Sequence, residues 1–244
     1  MFSMVHLLWA LLLHVTGTLA VPVLNQSPTS DPVSAGQTTR LNCAMQNGKV
    51  DSYYVFWYRQ KPGEAPVWVI EHQTDGDIYR GTGFTDRFQP SRDSVSNSFI
   101  LTIGNLVSSD SAVYYCAVWS GSAGYYTFGG GTALTVRSSD DRKPSVLLLP
   151  PSPEQIDTGS ATLSCLVSRF KPGLVQVLWS VDGKETDSGV TTSAVSPESD
   201  QSYSLSSYLT VTATDWKKGS RYSCSVKHGS LTSPLLNTIS SSDC

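Results

Sequence analysis

One spacing of cysteine and tryptophan occurs twice in this chain. Each copy has a cysteine, a tryptophan 14 positions later and a second cysteine further along: Cys43, Trp57 and Cys116 in the first copy, Cys165, Trp179 and Cys224 in the second. A repeated framework of this kind predicts two structural units of the same type. With 244 residues, the chain is long enough for two domains of about 100 to 120 residues, each able to bury its own core.

The first 20 residues have the character of a secretory leader. They contain no Lys, Arg, Asp or Glu, and Leu7 to Leu13 form a short apolar run. Small residues precede Val21, where cleavage is expected, and His6 stands in for the usual positive charge. The alternative is a membrane anchor, but the run is shorter than the roughly 20 residues that span a bilayer. We therefore expect a secreted chain whose cysteines can form disulfides.

The sequence offers little basis for catalysis or for nucleic-acid binding. Its formal net charge of -3 leaves no excess of basic residues of the kind that binds phosphate backbones. After the leader, the histidines are His72 and His228, one in each unit, and no motif places a nucleophile or a carboxylate beside either. The closely spaced Cys or His pairs of zinc sites do not occur. We predict no enzyme activity, no cofactor and no metal site.

The segment from Asp110 to Val136 alternates like two β-strands on either side of a tip. Tyr114 and Cys116 share one face of the first strand, and Tyr115 lies on the other. Because both faces carry apolar or aromatic side chains, we expect this strand to be covered twice, once by its own core and once by a partner. The predicted tip consists of Trp119, Ser120, Gly121, Ser122, Gly124, Tyr125 and Tyr126.

This segment resembles the end of an immunoglobulin variable domain joined to its J segment. The resemblance is carried by Asp110-x-Ala112-x-Tyr114-x-Cys116 and by Phe128-Gly129-Gly130-Gly131-Thr132. In the second unit, Tyr222-Ser223-Cys224 and Gly189-Val190-Thr191-Thr192 resemble lambda-type constant domains. Over its whole length the chain is similar to an antibody light chain. The resemblance implies an all-β fold with two immunoglobulin-like antiparallel β-sandwiches, V-type and then C1-type, joined by a short elbow.

The resemblance also implies the domain boundaries and the cysteine pairing. We expect a signal peptide at residues 1–20, a variable domain at 21–137, an elbow at 138–143 and a constant domain at 144–244. Cys43 would bridge to Cys116 and Cys165 to Cys224, with a tryptophan packed on each bridge. Cys244, the cysteine left over, would form an interchain disulfide; the alternative is a free or capped thiol. Arg87 and Asp110 are expected to form an ion pair, or else to be two solvated surface charges.

Strand parity predicts an apolar outer face on each domain. In the first domain, Val55 and Trp57 point inward, so Tyr58 and Gln60 point outward. By resemblance these outer faces would contact a heavy chain through Tyr58, Gln60, Ala65, Pro66, Trp68, Tyr115 and Phe128 in the variable domain, and through Leu147, Leu149, Leu166, Ser206 and Tyr208 in the constant domain. The alternative is a scatter of surface aromatics without a partner.

Three loops are expected to meet at one end of the variable domain, at about residues 46–54, 72–80 and 118–127. Their tyrosines, tryptophan and small polar residues are typical of an antigen-binding surface. The predicted binding residues are Asn47, Asp51, Tyr53, Tyr54, His72, Asp75, Asp77, Tyr79, Trp119, Ser120, Ser122, Tyr125 and Tyr126. Tyr54 and Tyr79 have the alternative of packing on the framework or on the partner. Asn25-Gln26-Ser27 is an acceptor sequence for N-glycosylation, although Pro28 follows it.

The resemblance implies a secreted antibody light chain that pairs with a heavy chain and contributes these three loops to an antigen-binding site. It would reach the cell surface only through the heavy chain and would not itself insert into the membrane. The alternatives are a surrogate light chain and a T-cell receptor-like chain. We expect a receptor chain to carry a connecting segment and a membrane span after Cys224, where this sequence has only 20 residues.

Overall fold

Alternation of apolar and polar residues organises the first domain into two packed sheets. The computed structural model describes residues 21–27, 32–120 and 124–243, so the predicted signal peptide lies outside the described residues. The strands of the first domain are β1 (Val23–Gln26), β2 (Val33–Ser34), β3 (Thr39–Gln46), β4 (Val55–Gln60), β5 (Val67–His72), β6 (Ile78–Arg80), β7 (Phe88–Asp93), β8 (Ser98–Ile103), β9 (Ala112–Ser120), β10 (Tyr125–Phe128), β11 (Thr132–Leu134) and β12 (Val136–Arg137).

One sheet of this domain has the strand order β1-β3-β8-β7, and the other has the order β10-β9-β4-β5-β6, with β11 also paired to β9. All these pairs are antiparallel, whereas β12 pairs in parallel with β2. Short 3-10 turns lie at Val50–Ser52 and at Ser108–Asp110. The second sheet contains β9 and β10, which are the two strands predicted on either side of the tip.

Apolar side chains from the strands of both sheets fill the space between them. Phe99, Leu101 and Ile103 of β8 are fully buried, as is Trp57 of β4. The predicted disulfide between Cys43 and Cys116 is present and lies in the same apolar cluster as Trp57. Loss of a disulfide of this kind typically costs about 2–5 kcal/mol.

The predicted ion pair closes the opposite end of the domain from the loops. Arg87 Nη1 lies 2.9 Å from Asp110 Oδ2, and Nη2 donates to Oδ1 at 3.2 Å, so the contact is bidentate. The Asp110 side chain is only 2% exposed. Its Oδ2 also accepts the Val107 backbone N–H at 2.9 Å. The alternative of two solvated charges is therefore wrong.

The second domain repeats the two-sheet arrangement. Its strands are β13 (Ser145–Leu149), β14 (Ser160–Phe170), β15 (Val175–Val181), β16 (Lys184–Thr186), β17 (Val190–Thr192), β18 (Ser196–Pro197), β19 (Tyr203–Thr212), β20 (Tyr222–His228) and β21 (Leu235–Ile239). The first sheet has the order β13-β14-β19-β17, with β18 also paired to β19, and the second has the order β16-β15-β20-β21.

The second core is also built on a disulfide and a tryptophan. Every second residue of β14 from Ala161 to Val167 is buried, and Cys165 is bonded to Cys224 beside the buried Trp179. Two short helices connect strands: α1 (Pro153–Asp157) and α2 (Ala213–Lys217). The Thr212 hydroxyl caps α2 by accepting the Asp215 N–H at 3.0 Å.

The C-terminal part of the predicted elbow is hydrogen-bonded to the second domain. Arg142 and Lys171 exchange backbone hydrogen bonds at 3.0 and 3.1 Å. Arg142 also forms an ion pair with Asp200 at 2.8 Å, and Lys171 forms one with Asp140. Part of residues 138–143 therefore has defined partners, although the sequence predicts only a polar linker there.

Candidate pairing and recognition surfaces

The outer face of the β10-β9-β4-β5-β6 sheet is aromatic. Tyr58 of β4 lies directly opposite Trp68 of β5 and Tyr115 of β9 in strand register, and its ring centroid is 5.6 Å from that of Phe128. Trp68 is 37% exposed and Phe128 is 53% exposed, while Tyr58 and Tyr115 are half-buried. The four aromatic residues predicted to share this face do lie together on it.

Sequence reasoning missed Phe56 as a member of this face. Phe56 is two residues before Tyr58, so the same parity rule would have placed it outward. Its ring makes an edge-to-face contact with Tyr126, with centroids 5.2 Å apart. Tyr126 in turn lies 4.8 Å from Trp119 and 6.2 Å from Phe128. Phe56 therefore connects the framework part of the aromatic face to the third loop.

The remaining predicted residues of the face are polar or small. Gln60 uses its amide within the chain, because Oε1 accepts the Tyr115 hydroxyl at 3.1 Å and Nε2 donates to the Glu64 carbonyl at 3.1 Å. Ala65 and Pro66 are exposed in the turn before β5. The side chain of Gln60 is thus held at the edge of the aromatic face.

A carboxylate also belongs to this outer face. Glu71 of β5 pairs in register with Phe56 on one side and with Tyr79 on the other. Its Oε1 accepts a hydrogen bond from Gln73 Nε2 at 2.6 Å. Burial raises the pKa of the Tyr58 hydroxyl, and electrostatic interactions with Tyr126 and Glu71 add to the increase. A carboxyl group therefore lies among aromatic rings at the loop end of the face.

The third loop is shorter than predicted, because both strands extend into it. Tyr125 pairs with Ser120 and Tyr126 pairs with Trp119, so these four residues belong to β9 and β10. Ser120 is buried, whereas Trp119, Tyr125 and Tyr126 are exposed. Ser122 lies outside the described residues.

Two glycines set the path of the chain below this hairpin. Gly131 has φ +88°, a conformation that residues with a side chain rarely adopt. A Cβ on Gly129 would lie 2.9 Å from the Cys116 sulfur, which is too close for a real contact. β10 and β11 both pair with β9, and the three glycines between Phe128 and Thr132 lie opposite two residues of β9, so the glycine triplet contains one extra residue, as in a β-bulge.

The first loop has both exposed and framework-bound residues. Asn47 and Asp51 are exposed; Asn47 Nδ2 donates to the Val21 carbonyl at 3.2 Å, and Asp51 Oδ1 accepts the Ser94 hydroxyl at 2.9 Å. Tyr54 is exposed, but Tyr53 is half-buried and packs on the core cluster. Tyr53 is therefore the member of this pair that packs against the framework, although the sequence suggested this for Tyr54.

The second loop is a β5–β6 hairpin with its turn at residues 73–77. Asp75, Asp77 and Tyr79 are exposed, and His72 is half-buried. Asp75 Oδ1 accepts the Asp77 backbone N–H at 3.1 Å. The nearby charges of Asp77, Asp75 and Glu71 raise the pKa of the Tyr79 hydroxyl, with Asp77 the largest influence. Two exposed carboxylates, those of Asp75 and Asp77, therefore lie on this hairpin.

The outer face of the second domain has two rows of side chains across β13, β14 and β19. The rows are Leu147, Leu166 and Ser206, and Leu149, Ser164 and Tyr208. Leu147 is 53% exposed and Leu149 is 39% exposed. All the residues predicted for a constant-domain pairing face therefore lie side by side on one sheet.

The two remaining predicted sites are peripheral. Asn25 is exposed on β1, opposite Ala44, so its side chain is accessible. Cys244 lies outside the described residues. Its interchain role and the glycosylation of Asn25 both stay predictions.

Two searches over residues 21–27, 32–120 and 124–243 bear on other functions. Within these ranges no three His, Cys, Asp or Glu side chains are grouped so that they could hold a metal ion. No helix in the same ranges is long and apolar enough to cross a membrane.

Two protein-family models match the chain. The immunoglobulin V-set domain matches residues 26–137, and the immunoglobulin C1-set domain matches residues 146–231. The chain therefore belongs to the immunoglobulin superfamily. Within it, this is a V–C chain, with one V-set domain followed by one C1-set domain and a disulfide in each. Such domains are typically extracellular or cell-surface recognition modules that pair with another immunoglobulin-like chain or bind a ligand.

Proposed function

We propose that this protein is a secreted antibody light chain, lambda-like in its constant domain. It pairs with a heavy chain through one outer face of each domain and contributes three loops to an antigen-binding site. It has no enzymatic activity. The single observation that carries the proposal is the continuous aromatic surface from Trp68 and Tyr58 through Phe128 and Tyr126 to Trp119.

A surface with Trp68, Trp119, Tyr126 and Phe128 exposed together favours a protein partner. Exposed apolar patches beyond a few hundred Å² are uncommon on proteins that stay monomeric. The face also continues into the loop hairpin, so a partner that covers Tyr58 and Phe128 brings its own loops beside Trp119 and Tyr126. This arrangement supports a composite binding site made by two variable domains.

Two different sheets support pairing in the two domains. In the first domain the aromatic face belongs to the sheet that contains β9 and β10, and in the second the apolar face belongs to the sheet that contains β13 and β14. A partner chain that also consists of immunoglobulin domains would match both faces at once. The antibody heavy chain is the partner that we propose, with Cys244 as the covalent link.

Isolation of the native complex tests the identity of the partner. The protein is captured from plasma of the source animal, and the captured material is analysed by mass spectrometry with and without reduction. We expect a larger chain with a V-set domain, released from the covalent complex by reduction. A partner with a membrane-spanning segment and T-cell receptor-type domains would instead favour the receptor-like alternative.

Substitutions on the aromatic face test the pairing surface itself. Tyr58→Asp and Trp68→Asp should weaken association with the identified partner by at least about tenfold, because each buries a charge without a counter-ion. Val23→Asp is the matched control, since Val23 is an exposed apolar residue on the opposite sheet. Association measured by surface plasmon resonance that is unchanged in both face variants would contradict the assignment.

A further inference from the structure

The guanidinium of Arg92 lies beneath two of the three loops and bonds to both. Arg92 is in β7, on the sheet opposite the aromatic face. Its Nε donates to the Val50 carbonyl at 3.1 Å, and its Nη2 donates to the Tyr53 carbonyl at 2.9 Å. Nη2 also donates to the His72 carbonyl at 2.7 Å. One side chain thus bonds the first loop at two points and the start of the second loop at another.

The fourth contact of Arg92 is with the imidazole of His72. Arg92 Nη1 and His72 Nδ1 are 3.0 Å apart. A guanidinium has only donors, so Nδ1 must be the acceptor, and the ring must be neutral with its proton on Nε2. Protonation of Nδ1 would replace this hydrogen bond with two cations in contact. The geometry is therefore compatible with only one protonation state of His72.

The charge of Arg92 is not balanced by a direct ion pair. In the described part of the chain no carboxylate is within ion-pair distance of its guanidinium, and the Phe99 ring lies 5.8 Å below it. Asp51 is bonded to Ser94, and Asp75 holds the turn of the second loop. The carbonyl oxygens of the two loops therefore satisfy the guanidinium.

We propose that Arg92 is a positioning residue that holds the first and second loops in one arrangement, and that protonation of His72 releases this arrangement in mildly acidic solution. If the loops bind antigen, as in the proposed function on which this inference rests, recognition by this chain becomes dependent on pH. The loop arrangement itself is a property of the single chain. It can therefore be tested without antigen or partner.

The groups around His72 favour its neutral form, so its protonation, and with it the release of the two loops, requires acidic solution. Its neighbours in register are the apolar Val55 and Ile78. Along its own strand it is next to Glu71, whose carboxylate is bonded to Gln73. Arg92 is the cation that faces the ring, while Asp51 and Asp75 act on Arg92 from the two loops. Burial and, secondly, Arg92 lower the pKa of His72 from its ordinary value of 6.5, so the neutral ring is favoured at neutral pH.

Hydrogen exchange of the full mature chain, resolved by peptide, tests the proposal. Rates are compared at about pH 7.5 and about pH 5.5, after correction for the intrinsic effect of pH on exchange. At the lower pH we expect exchange up to about tenfold faster at residues 47–54 and 71–79, because proton uptake by an open-state histidine with the ordinary pKa of 6.5 increases the open population by that factor one pH unit lower. Residues 99–103 of β8 in the same domain should not change.

Three variants separate the two parts of the proposal. Arg92→Lys should increase exchange in both loop segments at neutral pH, because a single ammonium cannot reach three carbonyl groups. Arg40→Lys, at an exposed arginine of β3, is the matched control and should have no effect. His72→Gln retains an acceptor for Arg92 but cannot be protonated near neutral pH, so it should abolish the response to pH.

Nitrogen NMR of His72 in the unmodified chain supplies a readout that does not depend on any variant. We expect an unprotonated Nδ1 and a protonated Nε2 at neutral pH. A proton on Nδ1 at neutral pH, or loop exchange that does not respond to pH, would overturn the proposal. A uniform increase over the whole first domain in Arg92→Lys would also overturn it, because the role of Arg92 would then be general stability. Failure of heavy-chain pairing would leave all these measurements unaffected, so the two proposals fail separately.

Discussion

The ion pair between Arg87 and Asp110 allows a quantitative test of how the first domain is closed. The perturbation is a double-mutant cycle with Arg87→Ala, Asp110→Ala and the double variant. Arg87→Ala leaves the Asp110 carboxylate, only 2% exposed, without its counter-ion. It also removes hydrogen bonds to the carbonyls of Gly104 and Asn105, both at 3.0 Å.

The structure sets the size of the expected effect. Removal of one partner from a buried ion pair costs about 3–5 kcal/mol, whereas an exposed pair contributes about 0–1 kcal/mol. Because the Arg87 side chain is 28% exposed, we expect about 3 kcal/mol for Arg87→Ala. For Asp110→Ala we expect about 2 kcal/mol, since the remaining cation can reach water. The coupling between the two sites should be about 1–3 kcal/mol.

Urea unfolding followed by hydrogen exchange is the appropriate assay, because peptides from β3 and β8 report on the first domain and peptides from β14 and β20 on the second. A global probe would mix two transitions. Lys218→Ala is the matched control, since Lys218, the C-cap residue of α2, forms a solvent-exposed ion pair with Asp215, and exposed pairs contribute little to stability. A coupling energy below about 0.5 kcal/mol for Arg87 and Asp110 would refute the reasoning.

Two further predictions concern the second domain. His228 is buried, with Nε2 bonded to the Pro172 carbonyl at 2.8 Å and Nδ1 accepting the Ser230 N–H at 3.2 Å; burial lowers the pKa of its ring from 6.5. The unfolded chain therefore takes up a proton first, so the free energy of unfolding of this domain should be highest above pH 6.5 and fall as the pH drops below 6.5. Peptide-resolved urea unfolding checks this, and His228→Gln should remove the dependence. Cys244→Ser should abolish covalent heterodimers on non-reducing gels while non-covalent pairing persists, and covalent dimers that persist would contradict the interchain role.

Much of the fold could be predicted because strand parity and the spacing of cysteine and tryptophan can be taken directly from the sequence. Once Trp57 and Cys116 are assigned to the interior, Tyr58 and Tyr115 must point outward, and the structure places them there. The same rule also points Phe56 outward, but its contact with Tyr126 depends on the path of the hairpin, which parity does not indicate. In β14, the alternation of residues from Ala161 to Val167 in the sequence is enough to assign every second side chain to the second core.

The lengths of the loops and their internal contacts could not be predicted in this way. No pattern rule indicates that β9 and β10 continue to Ser120 and Tyr125, because continuation depends on backbone pairing across the hairpin. The partners of Arg92 are carbonyl groups, which every residue has, so no residue type marks them. Tyr53 and Tyr54 are the same type of residue, so the sequence does not indicate which ring packs on the core. That depends on the path of the backbone after the turn at Val50–Ser52.

The aromatic face has a consequence for how the two proposed roles of the first domain depend on each other. Phe56 lies in the framework strand β4, yet its ring contacts Tyr126 of the loop hairpin. Tyr126 also contacts Phe128, which is more than half exposed on the face proposed for pairing. A partner that buries Phe128 therefore packs against the base of the third loop, and a change in the hairpin alters the surface offered to the partner. The proposed pairing with a heavy chain and the proposed binding of antigen should consequently change together when Phe56 or Tyr126 is substituted.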